Sequence, residues 1–293
     1  MKRTVKRLLI FSALLAVFTF VRFPYETLLE DELAVLKRQA ASQGLFFDLE
    51  QTSLRFPGKL SFGRFGALFA TRNMPVPLVL TDGELELDFL PFILLQTQVS
   101  GEAQAYDGTI EAEFTRGIFG GPYSAELHGN SLSLDKHPSL QSLGLSGLAD
   151  LEIDAAADSG EPLESLNAEL KLHSAALNYP GQIAGAFKIP SLSNIDADIA
   201  VAGEDGRFAI QRCTASTSHG NLSCKGSFST SPQGALDTAG ITIELALNDA
   251  GRTEFGPYLA LAGGRQNSPT GGAYTINIQA QRGIITKFAV TPG

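Results

Sequence analysis

Histidines are the side chains of this chain most suited to metal binding, but their spacing does not bring them together. A zinc site needs three or four ligands, and these usually come in pairs a few residues apart. The four histidines have no such partners and are scattered at His128, His137, His173 and His219. We therefore predict no metal site, and we interpret each histidine as a turn residue or an exposed strand residue.

Closely spaced carboxylates occur where polar and apolar residues alternate, as at Glu84, Glu86 and Asp88 and again at Asp196 and Asp198. Side chains two positions apart in a strand share one face, so this spacing predicts a solvent-facing strand rather than an acid–base pair. No glycine-rich stretch combines with the lysine and the helix of a phosphate-binding loop. A Gly-x-Ser-x-Gly motif is also missing. We predict no catalytic residues, no cofactor and no enzymatic activity.

The two cysteines, Cys213 and Cys224, flank a segment with the composition of a hairpin turn. In a hairpin centred near Ser218 and His219 the cysteines face each other. Facing residues can lie ~4.5–5.5 Å apart at Cα, which a disulfide tolerates. Such bonds persist in oxidising compartments. We predict a structural disulfide, with two unrelated buried thiols as the alternative.

The overall charge argues against nucleic acid as a partner. The formal net charge is −9, and no basic block follows Arg38. Neutralising phosphates requires clustered lysine and arginine. We therefore predict that the chain binds no nucleic acid.

The N-terminus has the pattern of a membrane segment. An apolar run from Leu8 to Val21 follows the basic residues Lys2, Arg3, Lys6 and Arg7. Basic residues stay on the cytoplasmic side, so residues 1–7 form a cytoplasmic tail and the bulk of the chain crosses the membrane. We predict a transmembrane anchor over residues 8–25. A cleaved signal peptide is the alternative, because the strict run is shorter than a span of ~20 residues.

Two further regions follow the anchor. Apolar residues at helical spacing predict an amphipathic helix over residues 26–44, ending at Gly44. From Leu45 onward the pattern changes to period two, with Gly, Pro, Asn and Asp between the runs. The prediction is a mainly β fold, in which residues 45–293 form one β-rich periplasmic domain.

These alternating strands place their apolar residues on one face, which another layer can cover or leave open. A sandwich or a closed barrel would bury that face. An elongated, curled antiparallel sheet would instead leave it as an apolar groove, and the pattern alone does not separate these folds. The residues predicted to line the groove are Leu85, Leu87, Phe89, Leu132, Leu134, Leu151, Ile153, Leu170, Leu172, Ile199 and Ile210.

The order of parts at the N-terminus resembles the type II secretion system protein N family, which is related to the AsmA-like proteins. The resemblance rests on the anchor, the segment Arg22-Phe23-Pro24-Tyr25-Glu26, the Leu-rich helix ending at Gly44, and the turn Arg55-Phe56-Pro57-Gly58. Its close part covers residues 1–65. Beyond that it is a likeness of strand and turn pattern.

This resemblance implies a single-pass protein of the cell inner membrane, with a cytoplasmic N-terminus and a periplasmic β-domain. It implies a non-enzymatic component of type II protein secretion, whose partners are the inner membrane and other secretion-system subunits. The AsmA-like relationship implies the alternative, a lipid-binding or lipid-transfer protein of the envelope. There an AsmA-like groove would shield the acyl chains of phospholipid.

Overall fold

The structure is a computed structural model of the 293-residue chain. It describes residues 33–34, 37–38, 40–41, 45–55, 58–70, 75–88, 96–117, 121–158, 164–180, 182–183, 187–188, 190–230, 236–261 and 272–292. Leu33, Lys37 and Ala40 are helical. The predicted anchor at 8–25 and the rest of the helix predicted over 26–44 lie outside the described residues. Within the described part, no helix is both long and apolar enough to span a membrane.

The described chain is mainly β and forms one large, open, antiparallel sheet of 15 strands, which confirms the mainly β, antiparallel part of the predicted fold class. Neighbours in the sheet follow the order of the sequence from β1 to β17, except that β2 pairs beside β3, and β10 and β11 form a separate pair. The strands are β1 (Leu45–Glu50), β2 (Ser53–Arg55), β3 (Lys59–Ala70), β4 (Pro75–Asp88), β5 (Gln96–Ala105), β6 (Gly108–Gly117), β7 (Tyr123–Ser133), β8 (Leu145–Ala157), β9 (Ser165–Leu177), β10 (Gln182–Ile183), β11 (Phe187–Lys188), β12 (Leu192–Glu204), β13 (Arg207–Thr217), β14 (Gly220–Thr230), β15 (Leu236–Leu247), β16 (Ala273–Gln281) and β17 (Ile284–Pro292).

Helical segments interrupt the described meander at two places. A 3-10 turn (Leu134–Lys136) and the short helix α1 (Pro138–Ser142) connect β7 to β8. Helix α2 (Asp249–Leu261) lies between β15 and β16. Asn248 caps α2, because its Oδ1 accepts a hydrogen bond from the backbone N–H of Gly251 at 2.9 Å.

Cross-strand pairing sorts the side chains onto two unlike sides of the sheet, since directly paired residues lie on the same side. One row of pairs crosses from β3 to β17 without a polar side chain: Leu60, Leu85, Gly101, Ala112, Leu127, Ile153, Ala168, Val201, Ile210, Gly226, Ile241, Ile278 and Phe288. A neighbouring row on the opposite side contains Ser61, Glu84, Glu102, Glu111, His128, Glu152, Glu169, Ala200 and Arg212. We call these the apolar side and the polar side.

The described residues form no second sheet of comparable size to cover the apolar side. Its large side chains are mostly half-buried, and none in the described chain is less than 2 % exposed. Alanines make up much of what is buried, namely Ala67, Ala103, Ala105, Ala149, Ala157, Ala175 and Ala200. The architecture is therefore a single-layer sheet rather than a sandwich.

A small core forms where the 3-10 turn and α1 meet the apolar side. Leu134, Ala149 and Ala175 are buried there, and Leu140 packs against them. Neighbouring strands carry β-bulges at this level, with residues of positive φ at Ser131, Gly147, Ser174 and Asn194. Because bulges bend strands and raise their twist, the sheet turns at the place where this cover packs.

A substitution at Gly147 tests how much this bend contributes to stability. Its φ is 115°, and an added Cβ would lie 2.5 Å from the Cα of Ala175. We expect Gly147→Ala to lower the free energy of unfolding by roughly 1–3 kcal/mol, because a side chain there is both strained and crowded. Urea unfolding followed by circular dichroism measures the change. Gly240→Ala is the control, since nothing lies within 4 Å of that position. Equal losses in the two variants would contradict the prediction.

Candidate functional site: the apolar side

The structure places the predicted groove residues that it describes on the apolar side. Leu151 pairs with Leu170, and Leu170 pairs with Ile199. Leu85 and Ile153 belong to the long apolar row defined above. The other described members on the strands are Leu87, Leu132, Leu172 and Ile210. Leu134 instead lies in the 3-10 turn and is buried where that turn packs on the apolar side, and Phe89 lies outside the described residues.

The apolar side is most open on β4, β6 and β17. Leu85 is 37 % exposed and Phe114 is 42 % exposed. Phe114 stands beside Tyr123, with 6.2 Å between the ring centroids. Phe114 was not among the residues predicted to line the groove, although it alternates with polar residues between Thr109 and Thr115. An uncovered apolar surface of this kind is suited to binding an apolar partner.

Cys213 and Cys224, which the sequence analysis pairs across a hairpin, are joined by a disulfide with Cα atoms 5.0 Å apart. The hairpin turns at Ser218 and His219. The pairing of β13 with β14 is irregular between Ile210 and Thr214, next to the bond. Cys213 is buried. The disulfide therefore holds two neighbouring strands together where their ladder is interrupted.

The polar side is strongly acidic across β4 to β8. Between residues 75 and 157 the only arginine and lysine are Arg116 and Lys136. Lys59 on β3 reaches across to Glu84, with Nζ 2.5 Å from the carboxylate. This contact raises the pKa of Lys59 and lowers the pKa of Glu84, chiefly through the hydrogen bond between them. Both groups are exposed, so the pair adds little stability.

Further along the polar side, one arginine bridges two carboxylates. Arg212 lies 2.7 Å from Asp198 and 3.2 Å from Glu169. These contacts raise the pKa of Arg212, with the hydrogen bond to Asp198 as the largest cause. The bridge links β9, β12 and β13 across the surface.

Three cavities, of about 1390, 600 and 410 Å³, lie on the polar side. The largest is lined from β7 to β17 by residues that include Ser124, Asp154, Asn167, Ala209, Ser227 and Gln279. A cavity that touches so many strands requires the sheet to be concave toward it. The apolar residues thus form an uncovered face. The small and polar residues on the polar side leave room for the three cavities.

Glu126, His128 and Asp154 form a possible metal-ligand group on the polar side. Their ligand atoms lie within 4.8 Å of one another. Glu126 and Asp154 belong to the general run of carboxylates on this surface, and His128 lies 4.0 Å from Glu152. Exposed acidic groups of this kind do not by themselves define a site, so we assign no metal to it.

Ser218, His219 and Glu254 form a chain of contacts that was not predicted from the sequence. The Ser218 hydroxyl lies 2.8 Å from His219 Nδ1, and His219 Nε2 lies 3.2 Å from Glu254. A serine, a histidine and a carboxylate can form a nucleophilic triad. Here, however, serine and histidine are adjacent in one turn, and the hydroxyl already accepts the backbone N–H of Ser193 at 3.2 Å. The group fastens α2 to the end of the sheet.

Asp150 supports one of the bulges and gives it a dependence on pH. Its carboxylate accepts the backbone N–H of Ser131 at 2.7 Å and lies 2.8 Å from His173. The hydrogen bond from Ser131 is the largest cause of a lowered pKa for Asp150. A lowered pKa in the folded state means that the stabilisation is complete above the unfolded pKa of about 3.9 and is lost as pH falls through the folded value.

We therefore expect Asp150→Asn to lose less stability than the unmodified chain as the pH falls from about 4 through the folded pKa of Asp150. The amide keeps an acceptor for Ser131 and removes the charge. Because Asp150 is substantially exposed, the difference should be small. Thermal unfolding at a series of pH values measures it. Parallel pH profiles for the two chains would show that Asp150 does not couple folding to protonation.

The described residues thus form two surfaces of opposite chemistry. Comparison with protein-family models, with curated proteins and with solved structures finds no match for this chain. The uncovered apolar side is the feature from which we infer function.

Proposed function

We propose that this chain is a non-enzymatic component of the type II protein secretion system. It is anchored in the inner membrane by residues 8–25, and its sheet works in the periplasm. The proposal rests on the resemblance of residues 1–65 to the secretion system protein N family and on the chemistry of the sheet. A periplasmic location also suits the disulfide between Cys213 and Cys224.

The observation that carries the proposal is the uncovered apolar side. Apolar surface costs free energy when it faces water, at about 25 cal/mol per Å². Half-exposed side chains from Leu85 to Phe288 leave a strip across the sheet that a partner can cover. A machine subunit that holds neighbouring components needs such a docking surface and no catalytic residues.

Deletion of the gene from its own bacterium tests this proposal. The fraction of a folded exoprotein that reaches the medium should fall, and the same protein should accumulate in the periplasm. Expression of the chain from a plasmid should restore export. Normal secretion by the deletion strain would overturn the proposal.

A second candidate is an AsmA-like protein that binds or transfers phospholipid. The same uncovered apolar side favours it, because acyl chains can lie along a strip that crosses many strands. Because the sheet is concave toward the polar side, the acyl chains would lie along an uncovered apolar face rather than inside a groove. Lipid extraction followed by mass spectrometry on the purified full chain would then recover phospholipid at a fixed ratio, and its absence would reject this candidate.

A further inference from the structure

Strand β17 ends the sheet with an edge that carries strongly exposed apolar side chains. In the described chain β17 pairs with β16 alone. Ile284, Ile285 and Phe288 are 69 %, 62 % and 53 % exposed. An edge strand also presents unpaired backbone N–H and C=O groups, which can pair with another extended strand. The edge therefore has both the hydrogen-bonding groups and the apolar surface of an interface.

The opposite edge, β1, is protected by charge. Asp48 and Glu50 alternate with apolar residues there. Asp48 binds Lys37 Nζ at 2.6 Å, and Glu50 lies 3.9 Å from Arg64. Charges on an edge strand oppose pairing with other chains. By contrast, Lys287 is the only charged residue of β17.

The charge distribution indicates where two copies of this chain can approach each other. Each copy carries a formal net charge of −9, so two copies repel overall. The hairpin of β16 and β17 does not share this negative charge, because residues 273–293 contain Arg282 and Lys287 but no aspartate or glutamate. The exposed edge is thus also a region where the mutual repulsion of two copies is weak.

We propose that β17 pairs antiparallel with β17 of a second copy, with Phe288 facing Phe288 across the twofold axis. Phe288 is largely exposed and Val290 is already buried, so pairing at Phe288 covers more apolar surface. This register places Lys287 opposite Ala289, which avoids like charges directly opposite each other. It also uses the part of β17 that pairs regularly with β16, beyond the irregularity at Gln279. The two sheets then join into one.

Cysteine cross-linking of the full chain in detergent tests this register. The native cysteines are already paired, so each variant adds one free thiol. Phe288→Cys should form a covalent dimer on mild oxidation, because residues on the axis lie within disulfide range. Lys287→Cys and Ala289→Cys should each dimerise poorly alone and well when mixed in equal amounts. Phe46→Cys, at an exposed phenylalanine of the β1 edge, controls for random collision.

Light scattering on the unmodified full chain gives an independent readout that needs no cysteine. We expect the protein mass of a dimer, and we expect Phe288→Lys to give the mass of a monomer with an unchanged circular dichroism spectrum. A monomeric unmodified chain would overturn the proposal. Equal cross-linking at Phe46→Cys and Phe288→Cys would overturn it as well.

Discussion

Glutamate at both Leu85 and Phe114 is expected to abolish function while leaving the chain folded. Both side chains are part of the apolar side, and they are 37 % and 42 % exposed. A carboxylate at a half-exposed position keeps most of its hydration, so the cost to folding is limited. A partner that covers this surface would have to remove that hydration. We therefore expect the double variant to restore no more secretion than an empty plasmid in the deletion strain.

The matched control adds the same two charges to the other side of the sheet. Gln96→Glu combined with Gln104→Glu places them on β5, at exposed positions of the polar side. This variant should support secretion at the level of the unmodified chain, and immunoblots should show equal amounts of both variants in the membrane. Full secretion by the Leu85→Glu, Phe114→Glu chain would show that the apolar side is not a working surface.

Removal of the disulfide should give the largest single loss of stability among the changes considered. Replacing Cys213 and Cys224 together by alanine opens a short covalent loop with a sequence separation of 11. A loop of this size is worth about 2–4 kcal/mol, chiefly because the bond restricts the unfolded chain. We expect the free energy of unfolding in urea to fall by about that amount.

Reductant provides the control for this experiment. Dithiothreitol should lower the stability of the unmodified chain to that of the double alanine variant, and it should not change the variant. If the unmodified chain has the same urea midpoint with and without reductant, the bond is not a structural staple.

Period-two alternation was enough to predict the strands and their faces. Glu84 and Glu86 alternate with Leu85 and Leu87, and the structure places these two pairs on opposite sides of β4. The same reasoning applies to Leu170 and Ile199, which pair across β9 and β12. The side on which a residue lies is a local property of a strand, so a single sequence contains it.

Features that depend on distant pairing could not be predicted in this way. Ser131 and Asn194 take up positive φ at bulges, although neither is a glycine. The bulges depend on the register of neighbouring strands, which the alternation does not specify. The contact of His219 with Glu254 depends likewise on how α2 returns to the sheet. The concave shape of the polar side results from small twists between neighbouring strands that add up across the sheet. No single segment determines it.

A photo-reactive side chain at Phe114 tests most directly whether the apolar side is the working surface. Benzoylphenylalanine replaces Phe114 in the full chain, which is irradiated in living cells, and Gln104 on the polar side of β5 receives the same group as the control. We expect an adduct at Phe114 that contains another secretion-system subunit. A phospholipid adduct would instead support the lipid-binding candidate. If Phe114 gives no adduct beyond that seen at Gln104, the apolar side has no partner and both proposed functions are contradicted.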